Sequence, residues 1–407
     1  MRACANLFLI LFVADGGFSL VDELVSLFTP LMPFTALRNT LAVTVIFTSI
    51  PIYFSLGIDR RLPKRVFLPP VIFVFWTIIS TWLFPPLAEI RIYGLLMAVV
   101  QVALGMLPLF VFRDGGERRL TIPPVVFNAP FFSVRNFLTF FVVNLLVVPL
   151  ALLLVVLTAA NATISESTAG FTRITPTGVT MSERTYVRGN RTIRLVGMIH
   201  IGNRKYYDEV AAPVSPGRSI VLAEGVTDDR KLIHNRIDYG KVAGVLGLVP
   251  QERLPFKGRL IDGEEFESLQ PLPDAAGKLP VPASIDILRC DVDVSEFRQP
   301  TINLLNALGE NMRAHDSFVK ELLAFNAWAK KNVTPETQKN FMDDILHRRN
   351  QVVIRHLDKA LERYDSVIIP WGALHLPEIE AEIMKRGFQI KTRRELVSIS
   401  FWRLLRQ

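Results

Sequence analysis

The run FLTFFVVNLLVVPLALLLVVLTAA, from Phe137 to Ala160, holds no charged residue and is long enough to cross a hydrocarbon core of about 30 Å as one helix. Pro149 inside it is tolerable, because helices in lipid satisfy freed backbone groups by other routes. The text changes character just after it. From Met1 to Asn161 roughly one residue in nine is charged, whereas from Ala162 onward more than roughly one in four is, which is ordinary globular usage. The 407 residues, half of them hydrophobic with mean hydropathy +0.31, therefore average two unlike objects. The composition rules out disorder. It predicts a polytopic membrane domain over 1–161 and an extracytoplasmic α/β domain over 162–407.

Upstream of that run, the charge-free stretches Asn39–Ile58, Val66–Ala88 and Ile92–Phe112 each reach about 20 residues, and the last run extends over Asn136–Ser165. A weaker candidate, about Cys4 to Phe28, has Asp15 near its middle and Asp22 and Glu23 near its end. It reads as a retained helix rather than a cleaved signal peptide, since Phe12 stands where a cut after Ala14 wants a small residue. Five spans result. Arg2, Arg60, Arg61, Lys64, Arg65, Arg113, Arg118, Arg119 and Arg135 fall on one side and only Arg38 and Arg91 on the other. Basic loops stay inside, which puts the N-terminus in the cytoplasm of an inner-membrane protein and the C-terminal domain outside. Asp15 reads as a helix-end or bundle-interior residue, and no second buried charge marks a transporter.

The net charge of +8 does not argue for nucleic acid, because much of the excess lies in cytoplasmic loops and the rest forms no basic stripe. The expected partners are a peptide or small-molecule substrate and membrane lipid. Cys4 and Cys290 fall in different domains, so neither a disulfide framework nor a thiolate metal site is expected.

The second domain alternates strands and helices, which predicts a mostly parallel sheet with helices on both faces. A β-meander runs from Phe171 to His200, with turn signals at Thr177-Gly178 and Gly189-Asn190. A polar helix over about Asn203–Ala212 follows, then the strand Ser219–Gly225. Lys257–Lys278 reads mostly as loop and Ile285–Ser295 as strand. Beyond them lie a helix near Pro300–Leu308, a long helical stretch Pro335–Tyr364, the strand SVIIPWG, a helix Pro377–Arg386 and a last β region ending in SISFWRLL.

Two segments, LVGMIHIG (Leu195–Gly202) and PWGALHLP (Pro370–Pro377), share a Gly-x-x-His motif between an apolar strand and a helix. Ligands of open α/β sheets bind at the carboxyl ends of strands. Gly197 and Gly372 would clear side-chain bulk where the backbone turns or approaches a ligand or cofactor. Glu224 ends an apolar strand, where a carboxylate is costly unless paired. Together His200, His375 and Glu224 make a candidate site for a divalent ion (Mn, Co or Zn) with open positions for water; Glu224 or a histidine could instead be a general base. On the long helix, Met342, Leu346, Val353, Leu357 and Leu361 define an apolar face that Arg349 and Asn350 interrupt. A buried Arg there meets a substrate oxyanion or an internal carboxylate such as Glu224 or Asp291. Asp291 and Asp293 themselves read as solvated, and His234, His315, His347 and His356 have no comparable context.

These motifs, in this order over about Thr192–Gln389, resemble the TraB/PrgY/GumN family, which includes the TIKI metalloproteases. The likeness rests on Gly197-Met198-Ile199-His200, Glu224, Arg349-Asn350 and Gly372-Ala373-Leu374-His375-Leu376-Pro377, with departures at Met198, where the family often has Thr, and Glu378, where it often has Gly. The resemblance implies a duplicated fold related to erythromycin-esterase-like proteins and, for some members, metal-dependent peptide hydrolysis. Other members are held to bind peptide signals. The expectation is a membrane-anchored, metal-dependent peptidase, with Glu224, Arg349 and Asn350 in catalytic roles. A peptide-sequestering protein and a metal-independent esterase are the alternatives.

Overall fold

A computed structural model describes residues 1–211, 218–234, 240, 243–244, 247–251, 256–270, 285–311, 318–404 and 406. It divides into two compact units, Met1–Ala160 and Asn161–Gln407.

The first unit contains five helices long and apolar enough to cross a membrane: Arg2–Phe28, Thr35–Ile58, Lys64–Leu83, Tyr93–Val111 and Val134–Ser167, the last running on past the unit boundary. Prolines set one boundary that hydropathy alone misplaces and break another helix within its span. The third helix stops at Leu83 ahead of Pro85 and Pro86, and the fourth breaks around Met106–Leu107 ahead of Pro108, which has no N–H to donate. Phe8, Phe12, Ile52, Leu56 and Phe67 form a core between helices. Since lipid is as apolar as leucine, hydrogen bonds and close packing add the specificity. Tyr53 donates to Asn144 Oδ1 at 2.5 Å, and Asn136 Nδ2 donates to the carbonyls of Leu56 and Gly57. Along the fifth helix Val142, Leu145, Leu146 and Leu152 are exposed, an apolar surface compatible with a helix able to cross a membrane. A small hairpin, β1 (Arg113–Asp114) and β2 (Glu117–Arg118), follows the fourth helix.

The second unit is built on an eight-stranded sheet of β3 (Thr172–Thr175), β4 (Gly178–Arg188), β5 (Arg191–Met198), β7 (Ser219–Ala223), β9 (Gly258–Ile261), β10 (Ile285–Arg289), β11 (Ser366–Gly372) and β12 (Gln389–Ser400). The order is β12-β4-β5-β11-β7-β10-β9, and β3 pairs the start of β4. From β5 to β9 every pairing is parallel; β3, β4 and β12 extend the sheet antiparallel from the β5 side. The two short strands β6 (Ile201–Gly202) and β8 (Val249–Pro250) pair with each other apart from it. All five residues of β7 and six of seven in β11 are buried, so both faces of the parallel part are covered. Val221, Leu222, Ile368, Ile369 and Trp371 pack there with Leu357, Tyr364 and Ile379 from the helices. Gly387, at φ +79°, closes the helix Leu376–Lys385 in the left-handed conformation that suits glycine.

Several local expectations need correction. Within Lys257–Lys278, read as loop, lie β9 and a helix Gly263–Ser268; residues 271–278 fall outside the described residues. Asp262 accepts a hydrogen bond from the Glu265 N–H and caps that helix. Asp262→Ala should lower domain stability by about 1 kcal/mol, measurable by thermal unfolding; no change would mean the cap is not formed in solution. The strand expected to reach Ser295 ends at Arg289, because Asp291 turns inward. Beyond Ser400 the chain is helical over Phe401–Leu404 rather than extended.

The long helical stretch is interrupted by a π-helical turn over Asp343–Arg348, between Pro335–Met342 and Arg349–Arg363. Widening the turn shifts the buried face. Met342, expected inside, is exposed, whereas Asp344 and Arg349, five residues apart, are both buried. Such turns often accompany functional sites.

Candidate functional site

Three neighbouring parallel strands, β11, β7 and β10, send the chain toward one cluster from their carboxyl ends. Glu224 follows β7, Asp291 comes two residues after β10, and His375 comes three residues after β11 at the start of the Leu376–Lys385 helix. The helix Arg349–Arg363 adds its first two residues. β11 is hydrogen-bonded to β7 and β7 to β10, so the sheet itself sets the spacing of the three loops.

Arg349 lies at the centre. Its Nε and Nη2 donate to the two oxygens of Asp291 at 2.9 and 2.8 Å, a bidentate pair. Nη2 also donates to Glu224 Oε1 at 2.7 Å, and Nη1 reaches His375 Nε2 at 3.3 Å. The Asp291 side chain is fully buried, with Gly225 N–H donating to Oδ2. Glu224 is held from the other side by the Gly372 N–H, which donates to Oε2 at 2.7 Å. A Cβ on Gly372 would lie 3.5 Å from both Glu224 Oε2 and His375 Cδ2, so this glycine keeps the loop close to the cluster.

His375 is nearly buried, and its ring meets Trp371 edge-to-face with centroids 5.1 Å apart. Its Nδ1 and Asn350 Oδ1 are 2.7 Å apart. An amide oxygen only accepts, so Nδ1 carries the proton and Nε2 presents a lone pair. Burial, reinforced by the adjacent Arg349 guanidinium, pushes the imidazole down to about 4, and it is neutral at physiological pH. Asn350 Nδ2 donates in turn to Glu378 Oε2 at 2.7 Å, and His347 Nδ1 lies 2.9 Å from the same oxygen. Glu378 occupies the first turn of its helix, where negative charge is favoured.

The structure thus brings together Glu224, Arg349, Asn350, Gly372 and His375. The first motif behaves differently. Gly197 lies inside β5, where a Cβ would meet Phe171 O at 3.3 Å and Ser182 O at 3.4 Å; its small size serves strand packing. β11 pairs β5 with Gly372 opposite Met198, but His200 is exposed between β5 and β6. Among the described residues no hydrogen bond or ion pair joins the His200 ring to Glu224, Arg349 or His375.

Asp291, read from its own strand as solvated but named with Glu224 as a possible partner of a buried Arg349, is the bidentate counter-ion of Arg349. Its neighbour in the CDVDV run, Asp293, is half-buried: it caps the single turn Val294–Glu296 by accepting the Ser295 N–H, and it also accepts from Thr227 Oγ1 and the Asp229 N–H. His347 and Glu378 were not expected at the site. The signal for His347 was its spacing of three from Asn350 on one helix face.

The donor set has metal-ligand chemistry: a neutral imidazole and two carboxylates, with His375 Nε2 and Glu224 Oε1 3.7 Å apart. The Arg349 fork, however, bridges those same two atoms and takes their lone pairs, placing a fixed positive charge where an ion would lie. No group of three His, Cys, Asp or Glu among the described residues is arranged to hold an ion. As arranged, this cluster does not fit a divalent cation.

Comparison of the chain with protein-family models, with curated proteins and with solved structures yields no match.

Proposed function

We propose that the chain is a membrane-anchored hydrolase whose reaction centre is the His375–Glu224–Arg349 cluster, acting outside the cytoplasmic membrane on a peptide or ester. The observation that carries this reading is the convergence of a neutral imidazole, a carboxylate and a guanidinium at the carboxyl ends of adjacent parallel strands. A network that only joined the sheet to the helix would need no imidazole with its tautomer fixed by a dedicated amide.

Glu224 is the more accessible of the two carboxylates on Arg349, and it takes the role of base toward an attacking water. His375, neutral and anchored through Nδ1, presents Nε2 to the same water once Arg349 Nη1 turns away from it toward the oxyanion. Arg349 carries N–H groups that can turn from Glu224 to an oxyanion as charge develops there, while Asp291 keeps the guanidinium in place. Asn350 positions His375 and touches no substrate in this scheme.

A second reading is the metal-dependent peptidase that the family resemblance implies, with His200, His375 and Glu224 as ligands. The 3.7 Å separation of His375 Nε2 and Glu224 Oε1 favours it, but it requires Arg349 to leave the gap.

Detergent-purified full-length chain, assayed on fluorogenic esters and a peptide library with and without chelator, tests both readings. Turnover that survives exhaustive chelation supports the first. Turnover abolished by chelation and restored by Mn²⁺, Co²⁺ or Zn²⁺ supports the second. Saturable peptide retention without cleavage would overturn both in favour of a sequestering role. The orientation is tested separately: a reporter fused after Gln407 should be active outside the cytoplasm, and activity confined to the cytoplasm would reverse it.

A further inference from the structure

Anchoring needs one span, and this chain has five helices able to supply one. Helices of the first unit leave between them a partly open cavity of about 290 Å³ whose mixed polar and apolar wall includes Asp15, Ser19, Arg38, Thr77, Ser80 and Tyr93.

Its charges do not balance. Asp22, fully buried, binds Arg38 Nη1 at 3.3 Å and accepts the Phe34 N–H at 2.8 Å. Glu23 lies 3.5 Å from Arg38 Nη2, and Arg38 Nε donates to Ser19 Oγ at 3.0 Å. Arg38 is therefore committed to two carboxylates and a hydroxyl. Asp15, only 6 % exposed, is left with a neutral amide: Gln101 Nε2 donates to its Oδ2 at 2.8 Å. Among the described residues Asp15 Oδ1 has no hydrogen-bond partner. No second buried charge was expected beside Asp15, yet Asp22, seven residues along the same helix face, is one.

A buried carboxylate without a counter-charge is expensive, by several kcal/mol in general. The open space adjoining this one is where a counter-charge can sit. About 150 Å³ of apolar cavity suffices for benzene, so this cavity has room for a small organic molecule. Phe73, Val74 and Ala98 provide apolar wall, and the hydroxyls of Ser19, Thr77 and Ser80 can accept the remaining N–H groups of an ammonium.

We propose that this cavity is a binding site for a compact protonated amine, with the Asp15 carboxylate in its wall as the acceptor of its N–H. It gives the membrane unit a recognition role that does not depend on the hydrolytic reading of the other unit. Substrate recognition, sensing or passage of an amine would all begin from such a site.

The test is calorimetric titration of the detergent-solubilised full chain with n-butylamine hydrochloride at neutral pH, with n-butanol as the uncharged isostere. The amine should give saturable binding and the alcohol none. Asp15→Asn should weaken amine binding at least tenfold. Ala42→Leu, which fills the cavity and leaves Asp15 in place, should abolish it while the unliganded melting temperature shows that the variant folds. If Asp15→Asn fails to fold, Ala42→Leu alone decides. No saturable amine binding by the wild type, equal binding of amine and alcohol, or retained affinity in either folded variant would overturn the proposal.

Discussion

Replacing Arg349 by leucine should destabilise the α/β domain by about 3–5 kcal/mol, because it strips the counter-charge from a fully buried Asp291 and a mostly buried Glu224. Five donor contacts go at once: two to Asp291, one to Glu224, one to His375 Nε2 and one to the Ile345 carbonyl at 3.4 Å. Leucine restores apolar volume but none of the hydrogen bonds, and the Asp291 carboxylate must then be protonated or hydrated. The paired replacement Arg349→Leu with Asp291→Leu should regain a large part of the loss, since exchanging a whole buried ion pair for apolar side chains is often neutral. Thermal and urea unfolding of the full chain, followed at near-UV wavelengths sensitive to the buried Trp371, would read both variants. A single-variant loss below about 1 kcal/mol would mean that the cluster is open to water and that the ion pair is not the keystone described.

The second large effect is a pH dependence of stability that belongs to His375. Its folded-state value of about 4 lies below the ordinary 6.5, so the native protein binds this proton less readily than the unfolded chain does. The sign follows: the contribution is whole above pH 6.5, declines as pH falls from 6.5 to about 4, and changes no further below that. At about 1.36 kcal/mol per unit, the full loss is on the order of 3 kcal/mol. Carboxylates titrate in an overlapping range, so the useful quantity is the difference between wild type and His375→Gln, which lacks the titrating ring. The difference should slope between pH 6.5 and 4 and be flat from 6.5 to 8. A slope of the opposite sign would mean an imidazole that gains protons on folding, and hence a different tautomer and partner set from the Asn350-anchored one.

Much of the architecture was legible because it depends on pattern. Charge-free length marks four of the five helices able to span a membrane, and apolar strands running into turns and helices mark β5, β7, β10 and β11 of the sheet. Glu224, Arg349 and Asn350 could be singled out because each interrupts an apolar pattern, where polar groups need partners, and His375 because its Gly-x-x-His segment repeats one found after another apolar strand. What stayed hidden depends on three-dimensional register. Nothing local separates Asp291 from Asp293, two residues apart in one alternating run, yet one lies under Arg349 and the other caps a single turn. The π turn over Asp343–Arg348 exposed Met342, because a period of 3.6 carried through the helix puts the wrong residue inside. The two Gly-x-x-His segments are alike as text but differ in burial, since His375 starts its helix directly whereas a short β6 intervenes after His200. The missed helix after Asp262 had a signal in plain sight, an Asp three residues before a Glu.

The central claim is that the Arg349 cluster performs chemistry and is not only a structural ion network. The most direct measurement compares turnover and melting temperature of full-length wild type and Glu224→Gln on the best ester or peptide found. Glutamine preserves the shape but has one acceptor oxygen where Glu224 uses two, so it keeps the bond from Arg349 or the bond from Gly372 and not both, and it cannot serve as a base. The expected result is a loss of 10²–10⁴-fold in kcat with KM little changed and the variant still folded at the assay temperature, its melting temperature lowered by the one lost hydrogen bond. A Glu224→Gln protein that turns over at the wild-type rate, or one that loses activity only in proportion to its unfolding, would contradict the account.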